Sequence, residues 1–116
     1  MSIFTKKEKN DDEKRRHKRH EIFQASYYKL HDDQQTIHDC VIHNLSLGGI
    51  MIETNGELPD GLDIVIIMNL NGTILQEKMR IIRKAKIITH RCGCNFIDRS
   101  TREKRERIIS AYLKSL

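Results

Sequence analysis

Along most of the chain, apolar residues either alternate with polar ones or gather in short β-branched runs, and turn residues separate these runs. This pattern predicts short strands. Ile22 to Leu30, with Phe23, Tyr27 and Tyr28, reads as a first strand, followed by the turn His31-Asp32-Asp33-Gln34-Gln35. Thr36 to His43 is the second, with Cys40 and Ile42 on one face and Val41 and His43 on the other, because strand side chains alternate. Ile50 to Glu53 is a short third strand. Asn55-Gly56 and Pro59-Asp60-Gly61 punctuate the chain before Leu62 to Leu70, whose run Ile64-Val65-Ile66-Ile67-Met68 fits a strand covered on both faces. Asn71-Gly72 marks a hairpin, since both central residues of the favoured turn take positive φ. Thr73 to Ile88 is a long strand region, bent or broken near Lys84-Ala85-Lys86, and Cys92 to Ile97 is the last strand.

The period changes after Arg99. Ser100-Thr101-Arg102-Glu103 matches a capping box, with Ser100 as N-cap and Glu103 at the third helical position. Ile108, Ile109, Tyr112, Leu113 and Leu116 recur at helical spacing and form one apolar stripe on a charged helix. Five to seven short strands followed by one helix predict an all-β domain, a small antiparallel barrel with a C-terminal helix packed on its outside. Met51, Met68 and Met79 read as core filler, and His38, His43 and His90 as strand-surface residues.

Composition narrows the class. With 116 residues, one domain is expected, large enough to bury a core without staples. The longest apolar run, Ile64 to Met68, is too short to cross a bilayer, and the charges after Ile3 and Phe4 do not fit a secretory leader. An odd set of cysteines, Cys40, Cys92 and Cys94, argues for reduced thiols and a cytoplasmic setting. The net charge is +5, unevenly spread. Residues 1–20 hold eight Lys/Arg against four Asp/Glu, a balance of +4, and the remainder thirteen against twelve, a balance of +1. The basicity therefore belongs to a leading arm, with residues 1–13 read as a polar flexible segment and 14–116 as the domain.

Two stretches carry candidate chemistry. Lys14-Arg15-Arg16-His17-Lys18-Arg19-His20 packs five cations and two histidines into seven residues, and three of those cations are arginines, suited to bidentate contact with phosphates and with the O6/N7 edge of guanine. Asn44-Leu45-Ser46-Leu47-Gly48-Gly49 lies between two predicted strands. Its paired glycines permit unusual backbone angles or the close approach of another molecule. Asn44 and Ser46 would present an amide and a hydroxyl on one face, with exposed backbone N–H groups beside them; the plainer reading is a tight turn in which these side chains satisfy their own backbone.

Other chemistry finds little support. There is no Walker-type phosphate loop, dinucleotide-binding glycine motif or nucleophile elbow. Ser46 and His43 fall on opposite faces of a continuing strand, with no orienting acid. Cys92-x-Cys94 is too closely spaced for the usual structural zinc pair, so no metal is expected. No aromatic residue interleaves the basic run, which disfavours a stacking platform for single-stranded nucleic acid.

Together the motifs resemble a known family. Arg15 and Arg19 fit R-x-x-x-R, with Arg16 as an added arginine; Asn44-x-Ser46-x-x-Gly49 fits [DN]-x-S-x-x-G; and Gly93-Cys94-Asn95-Phe96-Ile97 resembles a G-x-x-F segment in a last strand. In this order the three look like the PilZ domain, over about residues 14 to 115. The resemblance implies a six-stranded antiparallel β-barrel with a C-terminal helix. It also implies a non-catalytic receptor for the bacterial second messenger cyclic di-GMP, with no cofactor. Carried over by residue, Arg15 and Arg19 would hold phosphates and guanine edges with Arg16 assisting, and Asn44, Ser46, Gly48 and Gly49 would line the barrel surface against the ligand. Asn44 stands where many members have Asp, keeping the carbonyl acceptor and adding a donor. Signalling would run through a reordered arm to a downstream protein partner, in motility or exopolysaccharide regulation. The competing readings are a PilZ-like adaptor that acts without ligand and a basic-arm nucleic-acid binder.

Overall fold

The computed structural model describes residues 17–84 and 90–116, with backbone alone for 83–84. The segment 1–16, which includes Arg15 and Arg16, and the expected bend around Ala85 and Lys86 lie outside the described residues.

The described residues form six strands: β1 (His20–Leu30), β2 (Asp33–Leu45), β3 (Gly49–Thr54), β4 (Asp63–Leu70), β5 (Thr73–Lys84) and β6 (Arg91–Phe96). They close into an antiparallel barrel in the order β1-β2-β3-β6-β5-β4, with β1 returning to pair β4 from Tyr27↔Ile67 to Leu30↔Ile64. Closure leaves no strand edge exposed along the ring.

The alternation read from the sequence sets which residues point inward. Ile64, Ile66, Met68 and Leu70 from β4 meet Leu75, Met79 and Ile81 from β5, with Cys40, Ile42, Ile52 and Cys92 completing the core. Fully burying one such aliphatic side chain contributes about 1.5–3 kcal/mol. Val65, on the opposite face of β4, is also buried, but Ile67 on that face is half-buried and Asn69 exposed, so the strand is covered on both sides only at Val65.

The hairpin at Asn71-Gly72 has positive φ at both residues, 55° and 91°. The Gly72 amide donates to Asn69 Oδ1 at 2.7 Å, which fixes the turn.

Four expectations need correction. The first hairpin turn is only His31-Asp32, because β2 already begins at Asp33. Cys40 and Ile42 face inward as read, but a bulge between Ile42 and Asn44 resets the register, so that Leu45 also turns into the core. Met51 is half-buried on the outer face, unlike Met68 and Met79, which have no exposed surface. The capping box does not form. Instead Asp98 caps a short 3-10 turn, Arg99–Thr101, accepting from the Ser100 amide at 3.0 Å and its hydroxyl at 2.6 Å.

Helix α1 (Arg102–Lys114) follows without a side-chain cap of its own. Its apolar stripe packs on the barrel: Ile109 is fully buried in the core, Ile108, Tyr112 and Leu113 lie against it, and Leu116 projects outward. Tyr112 donates its hydroxyl hydrogen bond to Gln24 Oε1 at 3.1 Å, tying α1 to β1. Among the described residues, no helix is long and apolar enough to cross a membrane.

Candidate functional site

The Asn44–Gly49 stretch forms the turn between β2 and β3, and Ser46 organises it. The Ser46 amide donates to the Gly49 carbonyl at 2.9 Å. Its hydroxyl donates to the same carbonyl at 3.2 Å and accepts from the Gly48 and Gly49 amides at 3.2 and 3.1 Å. One donor and two acceptor sites are all a serine hydroxyl has. With 6% of the residue exposed, Ser46 shapes the loop from inside rather than offering a free hydroxyl. This is the plain turn reading, and the two glycine N–H groups are correspondingly engaged.

The glycines serve close approach, since neither has a positive φ. A β-carbon on Gly49 would overlap the Cys94 carbonyl oxygen, so this residue lets β3 and β6 pair at the mouth of the site. A β-carbon on Gly48 would lie 3.1 Å from the His17 ring. The Phe96 amide donates to the Gly48 carbonyl at 3.1 Å and fastens the loop to the end of β6.

This loop borders an open groove of about 940 Å³. Arg19, Ser46, Gly48 and Gly49 all line it, so the structure brings together four of the residues singled out by the motifs. Asn44 is not among the lining residues; it sits half-buried at the bulge, with Glu21 and Met51 as strand neighbours.

The far side of the groove was not anticipated. Asn95 and Phe96 at the end of β6, and Arg99, Arg102 and Arg105 from the 3-10 turn and α1, also line it. The available signal was three arginines spaced by three residues directly after the G-x-x-F strand, a spacing that puts them on one side of a helix.

Arg105 is buried. Its Nη1 donates to Glu77 Oε1 and to the Asp98 carbonyl, both at 2.9 Å, and to Thr101 Oγ1 at 3.2 Å. The guanidinium also lies 4.6 Å from the Phe96 ring centroid, within cation–π range. The Asp98 carboxyl is held below its ordinary value by the Ser100 hydroxyl and amide.

The three cysteines form no disulfide and are buried in the core. Burial pushes the Cys40 thiol up to about 12. Cys94 is also raised, by its hydrogen bond with Cys92 and then by burial. His43 meets Glu53 Oε1 at 2.8 Å. Among the described residues, no group of three or more His, Cys, Asp or Glu side chains converges as metal ligands do.

A closed six-stranded barrel, a terminal helix laid on it and an arginine-rich groove beside a Ser-x-Gly-Gly turn define a small barrel domain. The chain belongs to the PilZ domain family, whose family model matches residues 13–114. Among solved structures it is similar to the PilZ domain of CeSA from a cellulose-synthesizing bacterium, at 22% identity and a TM-score of 0.62, covering 84% of this chain and 96% of that one. It is also similar to YcgR from Escherichia coli in complex with c-di-GMP, at 22% identity and a TM-score of 0.64, covering 88% of this chain and 47% of that one. The PilZ domain of the same protein with c-di-GMP gives 19% identity and a TM-score of 0.64, covering 88% of this chain and 93% of that one. At these identities the likeness is one of fold. No curated protein matches the sequence.

Proposed function

We propose that this PilZ domain is a non-catalytic receptor for cyclic di-GMP. The observation that carries the reading is that Arg19, the second arginine of R-x-x-x-R, lines the same groove as the Ser46–Gly49 turn. Arg19 and this turn are about one hairpin apart in sequence, yet both border the groove. The similar structures from Escherichia coli, solved with c-di-GMP, add support from the same fold.

In the proposed site Arg15 and Arg16 act with Arg19 as the cationic side toward the ligand. Guanidinium groups suit both of its chemistries, pairing with phosphates as bidentate donors and with guanine O6/N7 edges. Ser46, Gly48 and Gly49 form the barrel side of the proposed site, with Ser46 acting through the shape of the turn and Asn44 supporting it from the bulge that leads into the turn. The unit is residues 14–116, with 1–13 as a leading arm.

Binding draws the Lys14–His20 run over the ligand, replacing repulsion among its cations with charge-assisted hydrogen bonds, and this alters the surface offered to a downstream protein partner. Three buried cysteines outside any disulfide are consistent with a cytoplasmic setting.

Titration calorimetry with cyclic di-GMP, with GTP as control, tests the reading. Micromolar or tighter binding that vanishes in Arg15→Ala and in Arg19→Ala is expected, with Lys6→Ala and Lys7→Ala nearly unchanged. Absence of heat at any concentration would remove the receptor reading and leave an adaptor that works without ligand. Amide signals of residues 10–20 that do not change at saturating ligand would remove the reordering step.

A further inference from the structure

The groove has a second cationic wall that no family motif supplies. Arg99 and Arg102 line it from positions one helical turn apart, and both side chains are exposed and able to reorient. Arg105 continues the same line three residues on, with only 5% of its surface exposed. Its Nη1 is committed to Glu77, Asp98 and Thr101, while its Nε has no hydrogen-bond partner.

Two carboxylates also line this side of the groove. Asp98 is occupied as the cap of the 3-10 turn, accepting from Ser100. Glu106 accepts from Arg102, Nε to Oε2, at 3.1 Å. That pair is half-open to solvent, with 49% of the Arg102 side chain and 28% of the Glu106 side chain exposed. An exposed pair four residues apart on a helix is weak. A guanidinium gripping a phosphate through two parallel hydrogen bonds is stronger, so the exchange from carboxylate to phosphate is favourable.

We propose that Arg99 and Arg102 form a phosphate clamp on the helix side of the groove, and that Glu106 is an internal anion that occupies Arg102 until a phosphate of the bound cyclic dinucleotide displaces it. This rests on the receptor reading above. It extends that reading from the arm and the turn to α1, so a bound ligand bridges the barrel and the helix. It also gives the site a built-in competitor, which sets the affinity below what the arginines alone would provide.

The test is titration calorimetry with cyclic di-GMP on the full chain and five variants, with thermal melts to establish that each is folded. Arg99→Ala and Arg102→Ala should each weaken binding about tenfold. Glu106→Gln should tighten it about two- to fivefold, since it removes both the competing carboxylate and a negative charge from the groove. Lys104→Ala and Arg107→Ala remove the same charge from the same helix but away from the groove, and should change affinity less than about twofold. No binding by the wild-type chain overturns the receptor reading itself. Binding by the wild type that is equally strong in Arg99→Ala and Arg102→Ala overturns the clamp alone. Equal losses in the Lys104 and Arg107 variants reduce the effect to net charge and also overturn it. An unchanged or weaker Glu106→Gln overturns the competitor.

Discussion

The Arg105 guanidinium and the Glu77 carboxylate meet at 2.9 Å, Nη1 to Oε1, with 5% of either residue exposed. Glu77 occupies an inward position of β5, between Leu75 and Met79, and Thr101 also donates to it at 2.8 Å. The pair therefore joins the barrel to the start of α1 beneath the groove. Removing one partner leaves the other as an unpaired buried charge. Glu77→Ala and Arg105→Ala should each lower the unfolding free energy by about 3–5 kcal/mol in urea. Replacing both, as Glu77→Leu with Arg105→Met, should cost clearly less than the two single changes together. Single variants as stable as the wild type would mean that the pair does not hold the helix in place.

The Ser46 turn gives a second expectation. Ser46→Ala strands the Gly48 and Gly49 amides that its hydroxyl now accepts from, and should cost about 1–3 kcal/mol. Because the hydroxyl acts through loop shape, affinity for cyclic di-GMP should fall together with stability. Gly49→Ala should cost a similar amount through overpacking, since the obstructing atom belongs to the Cys94 backbone. Gly48→Ala should be milder, because the neighbouring His17 ring can move aside. Chemical denaturation of the three variants checks this order. A Ser46→Ala protein with full stability and lost affinity would instead make the hydroxyl a direct ligand contact.

Much of the barrel was readable because period-two alternation and an Asn-Gly turn are local signals, set by strand geometry and by positive φ. The bulge near Asn44 was not, since an extra residue in β2 becomes visible only against its partner strand. The cap was misplaced for a related reason. Ser100 and Glu103 match a capping pattern, but Asp98 lies two residues earlier and takes both the Ser100 amide and its hydroxyl. Arg19 and the Ser-x-Gly-Gly turn were singled out through their fit to the PilZ motifs, and the fold sets them on one groove. The helix wall was missed because three arginines on a charged helix look solvated until docking of the helix points them at a groove. Glu77 was the overlooked clue: a carboxylate in an otherwise apolar inward row requires a buried cation.

Acid should unfold the protein through three surface carboxylates. Glu53 is held below its ordinary value of 4.5 by hydrogen bonds from His43 and then Arg91. Asp63 is held below 3.8 by Arg80, which contacts both of its oxygens at 2.7 and 3.1 Å, and Asp98 by Ser100. A carboxyl with a depressed value in the folded chain favours folding while it is ionised, and that contribution disappears as pH falls through the depressed value. Tm should therefore decline between about pH 5 and about pH 3. The decline should be shallower in Asp63→Asn and in Glu53→Gln. Equal slopes in wild type and variants would show that these contacts do not survive in solution.

The thiols offer a test of the core that is independent of any ligand. Cys40, Cys92 and Cys94 are 5%, 2% and 2% exposed. A thiol held at about 12, as Cys40 is, has roughly one molecule in ten thousand ionised near pH 8, and the thiolate is the reactive form. Burial adds a steric barrier to that chemical one. The folded protein should therefore release almost no colour from an aromatic disulfide reagent, whereas in denaturant all three cysteines should react. In the native state the slow reaction should follow opening of the barrel, quickening in Glu77→Ala and in Gly49→Ala in proportion to their lost stability. Prompt reaction of a native thiol would place that cysteine on the surface and contradict the inward register of β2 or β6. Reaction that ignores the destabilising variants would trace exposure to local fraying next to Cys92, where β6 begins, and not to opening of the barrel.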